Sequence, residues 1–282
     1  MDNEVVFTFY RDSEELTVGA NAFGIIKYSG LEATDYALET MPNGNGIGAS
    51  LTKRRLLPRD LSLEFEYKIR RQDSGIRQRL IGFFSPFSCG CLNVRYKGVV
   101  REIEYEVEKM RLPTVNVNER LRCCLDLQCM NPFFTGVQKR RVTLATWVDG
   151  WRWKFTLPFH MKRRGSFRRN VYNAGHSDTP VHIIFKGPAV NPAVKNLTTG
   201  EMIRIRKELT TDDVLYICTE FGAKTVRIDH SDGQQEDAFD YIDLNSRFWW
   251  LQTGDNMVEY ETDNDLEPQS VTIEYDERYL GV

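Results

Sequence analysis

No segment of this chain is apolar for long enough to cross a bilayer. The longest stretch without a charged residue spans residues 80–94 and is interrupted by Pro86, short of the roughly 20 apolar residues a spanning helix needs. The opening Met-Asp-Asn-Glu has neither a basic region nor an apolar core, so no secretory signal is expected. Histidine is scarce: His160, His176, His182 and His230 are scattered, with no partner at ligand spacing along the sequence. His182 alternates with Val181 and Ile183, which turns it toward solvent or an interface. Nucleophile elbow, H-E-x-x-H helix and C-x-x-C redox pair are all missing, and with them the sequence handles for hydrolase, zincin and thiol-redox chemistry. No catalytic residue, cofactor or metal site is expected.

Zinc-ribbon spacing is also lacking. The six cysteines fall as C-x-C at 89 and 91, as a C-C pair at 123 and 124 followed by Cys129, and as Cys218. Two C-x-x-C knuckles would be required. Within residues 122–130, Cys123, Leu125, Leu127 and Cys129 alternate with Cys124, Asp126 and Gln128. Cys123 and Cys129 then read as small hydrophobes on the buried face of a strand. Reduced thiols and intracellular synthesis are the default.

What is present is enough to build a core. Hydrophobic residues make up 41% of the 282, aromatics 12% and charged residues 27%, too apolar for a disordered chain. The length favours two domains. The net charge of −3 conceals an asymmetry: residues 1–137 balance, residues 138–170 carry +9, residues 171–200 add +1, and residues 201–282 carry −13. A nucleic-acid-binding domain is basic overall, and this chain is not. Opposite charge in adjacent segments points to self-association or to pairing within the chain.

Period-two alternation dominates. Leu61, Leu63, Phe65, Tyr67 and Ile69 alternate with Ser62, Glu64, Glu66, Lys68 and Arg70. Ile103, Tyr105 and Val107 alternate with Glu102, Glu104, Glu106 and Glu108. Trp151, Trp153, Phe155 and Leu157 do the same, as do Val271, Ile273 and Tyr275. Such runs between Gly, Pro and Asn turns predict β-sandwiches. One stretch differs: after Asp73-Ser74, Ile76, Leu80 and Phe83 or Phe84 recur at helical spacing until Pro86, which predicts a single helix at 75–84. The domain boundary is placed after Asn131-Pro132-Phe133-Phe134, near residue 137.

Other motifs are weaker. Gly44-Asn45-Gly46-Ile47-Gly48 lacks the Lys-Ser/Thr of a phosphate loop and reads as a surface loop. Asp229, Asp232, Glu236 and Asp237 flank a tight turn without the spacing of an EF-hand, so a solvated hairpin is expected. Glu261, Asp263, Asp265 and Glu267 read as a charged loop or edge. The basic runs Lys139-Arg140-Arg141, Lys162-Arg163-Arg164 and Arg168-Arg169 read as a solvated face. They could also meet the acidic last third of a neighbouring subunit or an anionic polymer.

From residue 171 an ordered series emerges. It runs Val171-Tyr172-Asn173-Ala174-Gly175, Pro180-Val181-His182-Ile183, Gly187, Asn191-Pro192-Ala193-Val194-Lys195-Asn196, then Thr199-Gly200-Glu201 before Ile203 and Ile205. Ser246-Arg247-Phe248-Trp249-Trp250-Leu251, Gly254-Asp255-Asn256 and the ending Tyr275-Asp276-Glu277-Arg278-Tyr279-Leu280-Gly281 complete it. The first half adds early strands, the Gly-rich loop, the Arg-rich strand at 59–70, the short helix and Cys129-Met130-Asn131-Pro132-Phe133. Over nearly the whole chain this order resembles the distal tail protein family of siphovirus-type phages and prophages.

The resemblance implies a mainly all-β fold of two β-sandwich domains. Residues 1–137 would form the ring-building domain with its short helix. Residues 138–282 would form a galectin-like domain whose last strand can return to the first. It implies a structural, non-enzymatic tail-tip protein of the baseplate hub, made in the host cytoplasm and assembled as a hexameric ring. The tail tube protein and a tail-associated fibre or lysin protein are the implied partners, with no membrane and no specific nucleic acid. Glu102, Glu104, Glu106 and Glu108, or the loop at 34–50, are candidates for the face toward the ring lumen or the neighbouring subunit, and an acidic lumen would repel passing DNA. The competing reading is a carbohydrate-binding module that attaches to the host cell wall. Its candidate sugar or partner contacts are Trp249 and Trp250, of which alternation points one outward.

Overall fold

A computed structural model describes residues 5–20, 22–68, 74–87, 89–113, 120–144, 168–263 and 268–282. The expected strand at Trp151–157, the Lys162-Arg163-Arg164 run, His160, Asp265 and Glu267 lie outside them. The chain divides into two compact units: residues 1–137 with 279–282, and residues 138–278.

Among its described residues up to 137, the first unit holds ten strands and one helix in chain order. They are β1 (Val5–Arg11), β2 (Glu14–Val18), β3 (Phe23–Ser29), β4 (Tyr36–Pro42), β5 (Ala49–Leu56) and β6 (Arg59–Tyr67). After helix α1 (Ser74–Phe83) come β7 (Gly90–Tyr96), β8 (Val99–Arg111), β9 (Arg122–Cys129) and β10 (Phe134–Gly136). The strand order is β2-β1-β7-β8-β9-β6-β3, with β10 against β8. The long β8 turns the corner: residues Val99 to Tyr105 pair with β7, and Glu106 to Arg111 pair with β9. One strand thereby serves two sheet segments, as orthogonal β packings require.

Alternation builds the core of this unit. Phe7 and Phe9 from β1, Leu61, Leu63 and Phe65 from β6, and Ile103 and Tyr105 from β8 are all buried. So are Cys123, Leu125, Leu127 and Cys129 from β9, and burial pushes the Cys123 and Cys129 thiols up to about 12. The helix adds Leu80 and Phe83, and Phe84 just after it lies edge-on to Phe9 at 5.1 Å between centroids.

Arg59 breaks the pattern. It sits in phase with Leu61, Leu63 and Phe65 and is buried, with 4% of its surface exposed. Its guanidinium donates to the carbonyls of Gly30 (2.6 Å), Glu32 (2.7 Å), Pro132 (2.9 Å) and Leu280 (2.5 Å), and to Thr34 Oγ1. It also lies over the Phe134 ring at 4.7 Å. Desolvation lowers its pKa without discharging a group that titrates so far above neutrality. The C-terminal segment is thereby held to the first unit, helped by Val282 N donating to Leu31 O at 3.1 Å and by Arg101 stacked on Tyr279.

Among the described residues, the second unit is a sandwich of two main sheets with one further two-stranded sheet. Its strands are β11 (Arg140–Leu144), β12 (Arg168–Asn173), β13 (His182–Lys186), β14 (Ala189–Val190), β15 (Ala193–Asn196) and β16 (Glu201–Arg204). β17 (Glu208–Leu209), β18 (Val214–Cys218), β19 (Thr225–Asp229), β20 (Gln235–Asp237), β21 (Gly254–Glu261) and β22 (Ser270–Tyr275) follow. The larger sheet runs β11-β22-β13-β18-β19-β20 and the smaller β12-β21-β15-β16. Both bury one face in a shared core of Ile183, Phe185, Leu215, Ile217 and Ile273 against Val171, Val194, Val258 and Tyr260. Gly175 is required by close approach, since a Cβ there would lie 2.7 Å from the Arg278 carbonyl oxygen.

Replacing Arg59 by Ala strips donors from four carbonyls and a hydroxyl in a buried site, so destabilisation of about 3 kcal/mol or more is expected in urea titrations. Arg59→Lys should recover only part of it, because a point donor cannot reproduce the planar fork.

Candidate functional site

The candidate sites among the described residues lie on exposed surfaces. The first is a projecting hairpin. Among the described residues, β4 and β5 pair only with each other, from Tyr36 opposite Leu56 to Pro42 opposite Ala49. The Gly-rich stretch is its tip, held by Gly46 N to Asn43 O (3.0 Å), Asn43 Nδ2 to Ile47 O (3.0 Å) and Ser50 Oγ to Asn43 Oδ1 (2.6 Å). Gly46 and Gly48 have φ of +74° and +70°, a backbone that glycine adopts without strain. Every residue of β5 is exposed. Tyr36, Leu38, Met41, Ile47 and Leu51 present apolar surface, with Met41 66% and Ile47 76% exposed. An isolated two-stranded hairpin is marginal in water, and clustered apolar surface of this kind marks a contact site.

The glutamates of β8 do not form one continuous row. Glu102 is half-buried, opposite Asn93 and Thr135, and its carboxylate accepts from Cys91. Burial, then Glu102, pushes that thiol up to about 12. Glu104 and Glu106 are exposed, opposite Cys91 and Gln128 in the two successive sheet segments. Glu108 is exposed where a bulge shifts the register between Val107 and Lys109. Alternation along the sequence shows neither the corner nor the bulge.

The tryptophan expectation needs correction. Trp249 is a core residue, 1% exposed, with its indole N–H given to Val194 O at 3.2 Å. It cannot contact a sugar in the folded protein. Trp250 is half-buried, donates to Thr219 O at 2.9 Å and carries the Arg278 guanidinium over its ring at 5.1 Å. Residues 246–250 form no strand, so period-two reasoning did not apply there.

The outer face of the larger sheet in the second unit forms a groove of about 690 Å³, lined among others by His182, Ile184, Tyr216, Cys218, Arg227 and Phe239. Arg227 lies over the Tyr216 ring at 4.9 Å. Glu236 is another lining residue and the hub of a charged network. Its carboxylate accepts from Lys207 Nζ (2.8 Å) and Tyr241 OH (2.8 Å) and meets His230 Nε2 at 3.0 Å, while His230 Nδ1 meets Asp213 at 2.8 Å. Lys207, Tyr241 and His230 hold the Glu236 carboxyl down to about 2. Asp213, then Glu236, raises the His230 pKa.

The acids around the β19–β20 turn therefore do not converge on one cation. Asp229 pairs with Arg227, Asp232 accepts from Gln234 N and Asp237 from Phe239 N. The basic and acidic segments of the second unit meet inside it: Arg140 with Glu277 (3.2 Å), Arg141 with Glu274, Arg168 with Glu259 (2.8 Å) and Lys139 with Asp276 (3.7 Å). Glu261 and Asp263 pair with Arg204, and Glu261 also with Lys195.

The His230 imidazole should titrate above its ordinary value of 6.5, with Asp213→Asn and Glu236→Gln each lowering the midpoint in an NMR titration. Its contribution to stability is complete below about pH 6.5 and fades as pH rises through the raised value. The Glu236 contribution is complete above about pH 4.5 and fades as pH falls toward 2.

Residues 174–279 match the family model of the siphovirus-type tail component, C-terminal domain (SPP1_Dit). No curated protein matches the sequence. Among solved structures, the chain is similar to the phage SPP1 Dit (gp 19.1) protein, described as a paradigm of the hub adsorption apparatus in phages infecting Gram-positive bacteria. The identity is 12% and the TM-score 0.69, over 96% of this chain and 98% of that one. It is also similar to a chain of the phage P2 baseplate in its activated conformation with calcium, at 10% identity and TM-score 0.57 over 99% of each chain. The corresponding strontium structure gives 10% identity and TM-score 0.53, over 96% and 97%. By the sequence of residues 174–279 and by the fold, this protein resembles the distal tail (Dit) proteins of siphovirus-type phages.

Proposed function

We propose that this chain is a structural baseplate-hub protein at the tail tip of a phage or prophage particle, forming a ring that joins the tail tube protein to a tail-associated fibre or lysin protein. The observation that carries the reading is the extent of the Dit likeness: the fold agrees over 96% of the chain, and residues 174–279 agree by sequence as well. The β4–β5 hairpin supports ring closure. It offers exposed apolar side chains and unpaired strand edges in every copy. Such an arm, received by a different patch on the next copy, makes a head-to-tail contact that closes into a ring. Six copies would close it, as in the family that the sequence resembles. Glu104 and Glu106 would line the lumen, where exposed carboxylates repel DNA phosphates across a Debye length of about 8 Å.

A second reading, a module that binds host-wall carbohydrate, is favoured by the groove of the second unit, where Tyr216 and Phe239 stand among charged side chains. A glycan array would show binding that Tyr216→Ala abolishes; silence removes the reading.

Light scattering of the purified chain should give a mass near six times 32.8 kDa. Leu38→Asp with Met41→Asp should shift it to the monomer without lowering thermal stability, since both side chains are exposed. Antibody labelling of particles by electron microscopy should mark the tail tip. A monomer at every concentration, together with unlabelled tips, rejects the hub. Charge reversal at Glu104 and Glu106 should slow DNA delivery from assembled particles; unchanged delivery rejects the lumen assignment.

A further inference from the structure

We propose that the outer face of the larger sheet in the second unit holds a zinc-class divalent metal ion on His182, Cys218 and Glu220. One imidazole nitrogen, the Cys218 sulfur and one carboxylate oxygen lie within 4.8 Å of one another, and all three residues are half-buried. Their convergence follows from strand pairing. His182 on β13 stands directly opposite Cys218 on β18, so the two side chains leave the same face of the sheet. Glu220 follows Cys218 by two residues, which returns it to that face. The pairing continues past the end of β18: Thr219 N donates to Val181 O at 3.0 Å, and the buried Thr219 hydroxyl accepts from Val181 N at 2.8 Å. Glu220 is therefore held in register.

The surroundings suit a metal of this class. Arg278 Nη2 donates to one oxygen of Glu220 at 3.2 Å, which orients the carboxylate and leaves its other oxygen for the ion. A ligating carboxylate supported in this way is the usual outer-shell arrangement. Thiolate, imidazole and carboxylate together select zinc over calcium or magnesium, which take oxygen alone. The two anionic ligands balance a divalent charge. Tetrahedral coordination needs donors about 3.5 Å apart, so closure around the ion takes a contraction of about 1 Å, within reach of rotations of the three side chains. His182 and Cys218 both line the groove, so the fourth coordination position would open into it. The site does not depend on the hub reading.

Neither sequence spacing nor motif shows this cluster, because His182 and Cys218 meet only through the pairing of β13 with β18. The test uses the full chain. Zinc in equilibrium dialysis should bind at one ion per chain, and cobalt should give a thiolate-to-metal charge-transfer band. Cys218→Ser should abolish the band. His182→Gln and Glu220→Gln should keep the thiolate but weaken binding by about tenfold or more. Cys89→Ser, at an exposed thiol elsewhere in the chain, should change nothing. If Cys218→Ser does not fold, maleimide labelling of Cys218 in the unaltered chain should slow when zinc is added. No stoichiometric binding, a band that survives Cys218→Ser, or labelling that zinc leaves unchanged would each overturn the site.

Discussion

A single buried guanidinium closes the first unit. Arg59 takes an inward position at the start of β6, and its donors are spent on backbone carbonyls from residues 30–32, Pro132 and Leu280 and on the Thr34 hydroxyl. A cation in that place would be costly without partners, because desolvation opposes the charged form. With them it becomes a multi-pronged clip. It fixes the loop after β3, the turn after β9 and the last residues of the chain around one planar group. Lysine could not serve, since its ammonium lacks the fixed fork. The return of the C-terminal residues to the first unit rests on this clip together with Tyr279 and Val282.

The second unit uses charge differently. Its basic edge strands β11 and β12 lie beside the acidic β22 and β21, and Arg140, Arg141 and Arg168 find carboxylates across the pairing. Individually such pairs contribute little, since most of these cations are exposed. Collectively they favour one arrangement of strands, because a shifted register would separate Arg141 from Glu274 and Arg168 from Glu259. The opposite edges, β20 and β16, also carry charge, Glu236 and Asp237 on one and Glu201 and Arg204 on the other, which discourages unwanted strand addition. Among the described residues, part of the segmental split of charge is therefore consumed inside the unit. Among the described residues, the apolar hairpin of the first unit and the aromatic, charged groove of the second present surface suited to partners.

The sequence by itself settled the fold class and the role of most apolar residues. The period-two runs among the described residues became strands, Leu80 and Phe83 became the buried side of helix α1, and Cys123 and Cys129 became core hydrophobes. All of these depend only on near neighbours in the chain, and local geometry sets that periodicity. Arg59 left a trace that could have been read, a charge in phase with Leu61, Leu63 and Phe65. Tertiary structure alone decided the rest. The corner and bulge in β8 divided the row of glutamates, because register is set by β7 and β9 rather than by β8. Trp249 went inside because residues 246–250 leave strand geometry and its indole reaches the Val194 carbonyl. His182 met Cys218 and Glu220, and His230 met Asp213 and Glu236, because pairing across a sheet joins residues that no spacing along the chain relates.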